Sequence, residues 1–508
     1  FSAQALCLIR SRPGSHPHTS LWPFAPSCAA HEMLAGTGCS WGDVREAAFQ
    51  HDDDDDALAA AEAGDRERPA DPAAPAAVGR KADARAEPAE KPPLAVVKAS
   101  KPRIDCIDGC RFALVLPIIV GHFVKFGTKN RLLLKLLTQE NVLVGGFFII
   151  SGYVASYVAT NIGERGHDRK KLAEPEKFFW QKVMSYYPLH FLVSTAFAPM
   201  FVLADRWAKR SWGASGFHAL LNYTLTQAWF PSEAEIWNPP TWFLSALTFA
   251  NGTLPTMILP QVARLSKDGL RKLFAGLTAI SVLQKVSYSQ AWQFHCQGGY
   301  KTRHSSPLLW NVTRFHPFWA LAEITMGVIA ARDVMLDDAE DRKKPVANPL
   351  WLFVASYATL ALRLTKDFNF NDAMIRSLVF IPLYTKFLKS LHRDCLSEAP
   401  SAITRFFGSA IMTRLGSLAF PMFIVHGPIG QLFYKKRVAT KLWGRVMPMW
   451  FFPIYLLIVT ASGHALNEGF VKNKAVQRLT ASVVAFLTRH TEGMLMDTEQ
   501  QQKLAVPL

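Results

Sequence analysis

Residues 107–126 read IDGCRFALVLPIIVGHFVKF, and this stretch decides what kind of protein the chain makes. Ten uncharged, mostly apolar residues separate Arg111 from His122, and a run of that kind belongs either in a bilayer or in a very large core. The same composition returns in VLVGGFFIISGYVASYV from Val142 and in WFFPIYLLIVTA from Trp450. Repetition at span length favours the bilayer.

Apolar windows bounded by charge or by Pro and Gly clusters predict about ten membrane spans. They begin near Ile107, Asn141, Leu189, Trp242, Leu273, Phe315, Leu350, Ile375, Leu415 and Met447. The fold class expected is therefore an all-α polytopic transmembrane bundle, occupying residues 103–470. Residues 1–102 hold Asp52 to Asp56 and a long mixture of Ala, Pro, Glu and Arg. They carry too little apolar surface to offset ordering entropy, which predicts a disordered tail. Residues 471–508 read as a short C-terminal tail. The chain carries +16 overall, and because the N-terminal tail is net acidic the basic excess belongs to the membrane part. There it is spread through short loops beside lipid headgroups instead of gathered on one soluble face, which argues against a nucleic-acid partner. The 7 cysteines show no CxxC and no metal-ligand spacing, so neither a metal nor a disulfide framework is expected.

Ionisable residues inside apolar spans are expensive, and each is a functional candidate on that ground alone. The set is Arg111, His122, His190, Glu323, His426 and His464. Arg111 and His122 share the first span. Eleven residues at 100° each bring them to within roughly 20° on one helix face, about 16 Å apart along the axis. A cleft with a guanidinium at its mouth and an imidazole deeper in suits a long ligand with an anionic head and a reactive far end. Acyl-coenzyme A has that form: an Arg fork binds phosphate, and an imidazole can take a proton from an attacking hydroxyl. The plainer readings are that Arg111 pairs with Asp108 at headgroup level and that His122 only hydrogen-bonds across helices.

Three ordered motifs carry a family resemblance. The first span, with Asp108, Gly109, Arg111 and His122, resembles the opening span of acyltransferase-3 proteins. GGFFIISGY, with Phe147, Phe148, Ser151 and Gly152, is similar to that family's second-span signature. GSLAFPMFIVHGPI, with His426 and Pro428, resembles its late span ending in His and Pro. The resemblance implies O-acyl transfer, with an acyl group, typically acetyl, moving from acyl-coenzyme A to a hydroxyl of a carbohydrate or another small acceptor, and no bound cofactor. It implies His122 as general base and Arg111 as the donor contact, with Lys182 at one of two positions where the family commonly has arginine. Asp108, Phe147, Phe148, Ser151, Gly152, Glu323 and His426 would line the cleft. Packing of small residues is preferred to a nucleophilic serine for Ser151 and Gly152, while His426 either lines the acceptor side or braces the bundle. The second family arginine is Ser185 here, and a family acidic position falls on Leu247. Two other classes of function remain at this stage: a transporter using buried His and Glu, for which inverted repeats are the missing sign, and a catalytically silent member serving as a membrane receptor or scaffold.

Overall fold

A computed structural model describes residues 101–161, 174–291, 307–364 and 372–504. The expectation of a disordered N-terminal tail falls, but for residues 101 and 102, outside them. The described residues form helices and contain no β-strand. Helices of nine residues or more are α1 (Asp105–Gly127), α2 (Glu140–Ala159), α3 (Pro175–Met184), α4 (Tyr187–Trp207), α5 (Trp212–Tyr223), α6 (Trp242–Thr253), α7 (Lys267–Ala291), α8 (Pro307–Phe315), α9 (Pro317–Met335), α10 (Pro349–Ala358), α11 (Ile381–Cys395), α12 (Ala410–Tyr434), α13 (Phe452–Leu466) and α14 (Lys474–Leu504).

Among the described residues, five helical stretches are long and apolar enough to cross a membrane: Asp105–Gly127, Arg131–Ala159, Pro175–Trp207, Ala410–Tyr434 and Met449–Val471. Length and composition therefore support five spans and do not establish the expected ten. The other windows stand on helices that are shorter, interrupted or more charged. Pro349–Leu364 is apolar but short, a π turn at Leu254–Ile258 follows α6, and α9 carries Glu323, Arg332 and Asp333. An apolar window registers burial, whether lipid or protein does the burying. Helix α9 illustrates this, because from Glu323 to Met335 every residue is buried within the bundle, and charge on such a helix meets protein partners, not lipid tails.

The centre of the bundle is the crossing of α2 with α9. A Cβ on Gly152 would lie 1.8 Å from the Ile324 carbonyl oxygen, and one on Gly327 would lie 2.1 Å from that of Ile149. These reciprocal contacts make the two helices antiparallel and leave room only for hydrogen at both positions. Ser151 donates its hydroxyl to the Phe147 carbonyl one turn back, 2.8 Å away. Gly152 is thus placed at the close approach to α9, while the Ser151 hydroxyl is engaged within α2. Gly152→Ala is expected to force the helices apart at a cost of about 1–3 kcal/mol, read as a lower melting temperature of the full chain in detergent, whereas Ala at the open Gly276 inside α7 does not lower it.

The remaining elements wrap this crossing. Helix α12 lies along α1 and α13, α6 and α7 pack on α9, and α10 packs on α11. Residues 474–504, expected as a tail, instead form α14, which packs on α3. On another side Met200, Phe201, Ala204, Trp237 and Val438 form a second apolar cluster. Its polar rim is His218, whose Nδ1 lies 2.8 Å from Asp205 and whose Nε2 lies 3.2 Å from Glu233. Burial opposes the charge on His218, but the two carboxylates outweigh it and raise the imidazole above its ordinary range. Cys106, Cys110 and Cys395 are free thiols.

Candidate active site

Helices α1 and α12 run side by side in the same direction: Gly416 abuts Asp108, His426 meets His122, and Gly430 abuts Phe123. Both histidines are buried, with 1% of His122 and none of His426 exposed. Their rings approach edge to edge, His426 Nε2 lying 3.0 Å from His122 Nδ1. The Tyr455 hydroxyl on α13 donates to the His426 carbonyl at 3.3 Å, and Phe123 and Tyr455 stack edge-on at 5.3 Å beside the pair.

The second nitrogen of His426 decides how the protons are distributed. Nδ1 of His426 is hydrogen-bonded to the Phe423 carbonyl, which can only accept, so in the neutral ring Nδ1 carries the hydrogen and Nε2 the lone pair. His426 Nε2 must then accept from His122 Nδ1–H. A neutral His122 that donates from Nδ1 carries its lone pair on Nε2. The two imidazoles are hydrogen-bonded to each other, and His426 is in turn hydrogen-bonded to the Phe423 carbonyl.

The other residues singled out on sequence are placed as follows. Arg111, eleven residues before His122 on α1, pairs with Asp108 at 2.9 Å, and Asp108 is also held by Arg103 at 2.8 Å. The pairing of Arg111 with Asp108 is therefore present. Phe147 and Phe148 are core residues, Phe148 stacking on Phe243 at 4.5 Å. Lys182 stands on α3 over the Phe178 ring, 5.9 Å from its centre, on a helix whose neighbours are α6, α4 and α14. Ser185 closes α3 by donating to the Lys182 carbonyl at 2.6 Å, and Leu247 is buried in the apolar core. His190 hydrogen-bonds the Asn222 carbonyl at 2.9 Å, a cross-helix structural contact.

Glu323 is the centre of a second polar cluster that sequence reading did not assemble. Arg376 donates to it in bidentate fashion, Nε at 3.0 Å and Nη2 at 2.6 Å, and Lys285 approaches to 3.7 Å. Arg376 Nη1 also donates to the Asn141 carbonyl at 2.9 Å and to its side-chain oxygen at 2.7 Å. A cavity of ≈ 10 Å³, about one water's worth, lies among Asn141, Lys285, Arg314, Glu323 and Arg376. Arg314, in the last turn of α8, borders this cavity and faces Glu235 at 3.9 Å. Arg314, Arg376 and Lys285 border this cavity and were not marked by the sequence. The signal available was weak: a single Arg at the edge of each of two apolar windows.

The model of the acyltransferase domain family, Acyl_transf_3, matches residues 104–466. Comparison with curated proteins and with solved structures returns no significant match. The matched segment opens at the residue before α1 and closes at the last residue of α13, so it frames the histidine pair, its Tyr455 brace and the Glu323 cluster together. The chain belongs to this acyltransferase-3 family of membrane proteins.

Proposed function

We propose that the protein transfers an acyl group, in the first instance acetyl, from acyl-coenzyme A to a hydroxyl of a carbohydrate or other small acceptor, with His122 as general base. The observation that carries this reading is the 3.0 Å hydrogen bond between His122 Nδ1 and His426 Nε2, because it leaves the basic nitrogen of His122 facing away from its partner. In the proposed reaction the acceptor O–H gives its proton to His122 Nε2 as the oxygen attacks the thioester carbon. The carbon–sulfur bond then breaks, and the imidazolium returns the proton to the departing thiolate, leaving an ester and free coenzyme A. His426 steadies the imidazolium and keeps its ring in place, the part an orienting group plays in a catalytic triad. Arg111, about 16 Å from His122 along α1, would meet the phosphates while the pantetheine arm carries the thioester inward, with Lys182 as a second cationic contact.

The test is acceptor-dependent release of thiol from acetyl-coenzyme A by membranes carrying the protein, with the acetyl group recovered as an ester on the acceptor. Donor consumption that no hydroxyl acceptor stimulates would contradict the reading. Arg111→Ala is expected to raise the acetyl-coenzyme A concentration needed for half-maximal rate by about tenfold, the loss of a charge-assisted contact of ~1.4 kcal/mol, and an unchanged donor dependence would remove Arg111 from the donor site.

A further inference from the structure

Helix α12 contains Pro428 two residues after His426. A proline has no N–H, so the carbonyl four residues earlier, that of Ile424, loses its helical partner. A buried carbonyl in that state has to be satisfied from elsewhere. In this chain the donor is Asn238, whose side-chain Nδ2 lies 3.0 Å from the Ile424 oxygen. Asn238 is fully buried, and it sits so close to the helix that a Cβ on Gly427 would meet its Oδ1 at 2.7 Å.

The loop that delivers Asn238 is fastened on both sides. Toward α12, Gln431 donates to the Trp237 carbonyl at 2.7 Å. Away from it, Thr241 donates its hydroxyl to the Asn238 carbonyl at 2.6 Å and accepts from Asn222 at 3.1 Å and Gln227 at 2.9 Å. Trp237, immediately before Asn238, has φ +56°, a left-handed conformation that costs a bulky residue free energy and persists only where surroundings enforce it. Its indole donates to Asp205 at 3.1 Å, which supplies part of that enforcement.

We propose that Asn238 is a positioning residue for the histidine pair: it stands in for the amide that Pro428 lacks and so fixes the turn of α12 that holds His426 against His122. The catalytic half of this inference rests on the acyl-transfer reading above; the structural half does not. The break at Pro428 gives His426 a helix turn free of the usual ladder constraint, and Asn238 determines which of the orientations then open to it is adopted. Loss of the Asn238 donor lets the turn relax, the His122–His426 contact lengthens, and the His122 tautomer is no longer fixed. Donor affinity is untouched, because Arg111 lies at the far end of α1.

The experiment is a cycle of Asn238→Ala, Pro428→Ala and the double variant in the full-length protein, measured by thermal melting in detergent and by thiol release from acetyl-coenzyme A. For Asn238→Ala the rate at saturating acetyl-coenzyme A is expected to fall on the order of 10-fold to 100-fold, the scale of a small misplacement of a reacting group. The half-saturating concentration stays within about twofold, and the melting temperature drops by about 2–4 °C. Adding Pro428→Ala restores an amide opposite the Ile424 carbonyl, so the melting loss caused by Asn238→Ala shrinks to less than half and much of the rate returns. Equal melting losses with and without Pro428→Ala would overturn the proposal, as would a change in half-saturation in place of rate. If Asn238→Ala fails to accumulate, accumulation of the double variant supports the proposal and its equal absence contradicts it. If wild-type membranes release no more thiol than His122→Ala membranes, the acyl-transfer reading fails, and the melting cycle still decides whether Asn238 serves the Ile424 carbonyl.

Discussion

Arg376→Met is expected to destabilise the bundle by about 3–5 kcal/mol, enough to lower the yield of folded protein in the membrane sharply. Glu323 and Arg376 are both almost fully buried, and their ion pair is bidentate with its shortest contact at 2.6 Å. Removing the guanidinium strips Glu323 of its main counter-charge, because Lys285 stands off at 3.7 Å and is engaged with Ser281 and Ser377. It also deprives Asn141 of two donated hydrogen bonds at the start of α2. The cost is that of an uncompensated charge, not of one lost contact. Glu323→Gln/Arg376→Met is therefore expected to regain part of the loss, measured as melting temperature or resistance to chemical unfolding of the purified chain. A double variant no more stable than Arg376→Met alone would show that the cluster does not act as a charge pair.

The second large effect is catalytic. His122→Ala is expected to lower the rate of acyl transfer by about 10²- to 10⁴-fold while the protein still accumulates and melts near the wild-type temperature. His426→Ala is expected to cost less, on the order of 10-fold to 100-fold, because it removes the group that orients the base and not the base itself. The ordering follows from the direction of the relay: the Phe423 carbonyl fixes His426, and His426 fixes His122. If His426→Ala fell further than His122→Ala, the roles would have to be exchanged, with His426 as the base. Combining the two variants should add little to His122→Ala alone, since residues that act as a unit are not additive.

Much of the arrangement around α1 was legible in the sequence because it is local. The Asp108 and Arg111 pair, the His122 position, and the small-residue role of Ser151 and Gly152 each follow from spacing on one helix or from residue size. His426 was legible as a buried, ionisable residue beside a proline, but its partner stands 304 positions away. No periodicity reports that distance; it is set by glycines that let α12 lie along α1. Glu323 was likewise visible and its partners were not. Arg376 begins a π turn and Arg314 lies in the last turn of α8, so in sequence each stands at the edge of an apolar window, where a cation normally belongs to headgroups or loops. Tertiary packing folded both edges inward. The same inward packing holds for the window of α9, which is buried among other helices from Glu323 to Met335.

The most direct measurement is acceptor-dependent thiol release from acetyl-coenzyme A, followed side by side in membranes holding equal amounts of the wild-type protein and of His122→Ala. The account predicts release by the wild type that rises with acceptor concentration and release at least 100-fold slower by the variant. Equal, acceptor-dependent release by both would contradict it, since the base assigned by the His122–His426 hydrogen bond would then have no part in the reaction.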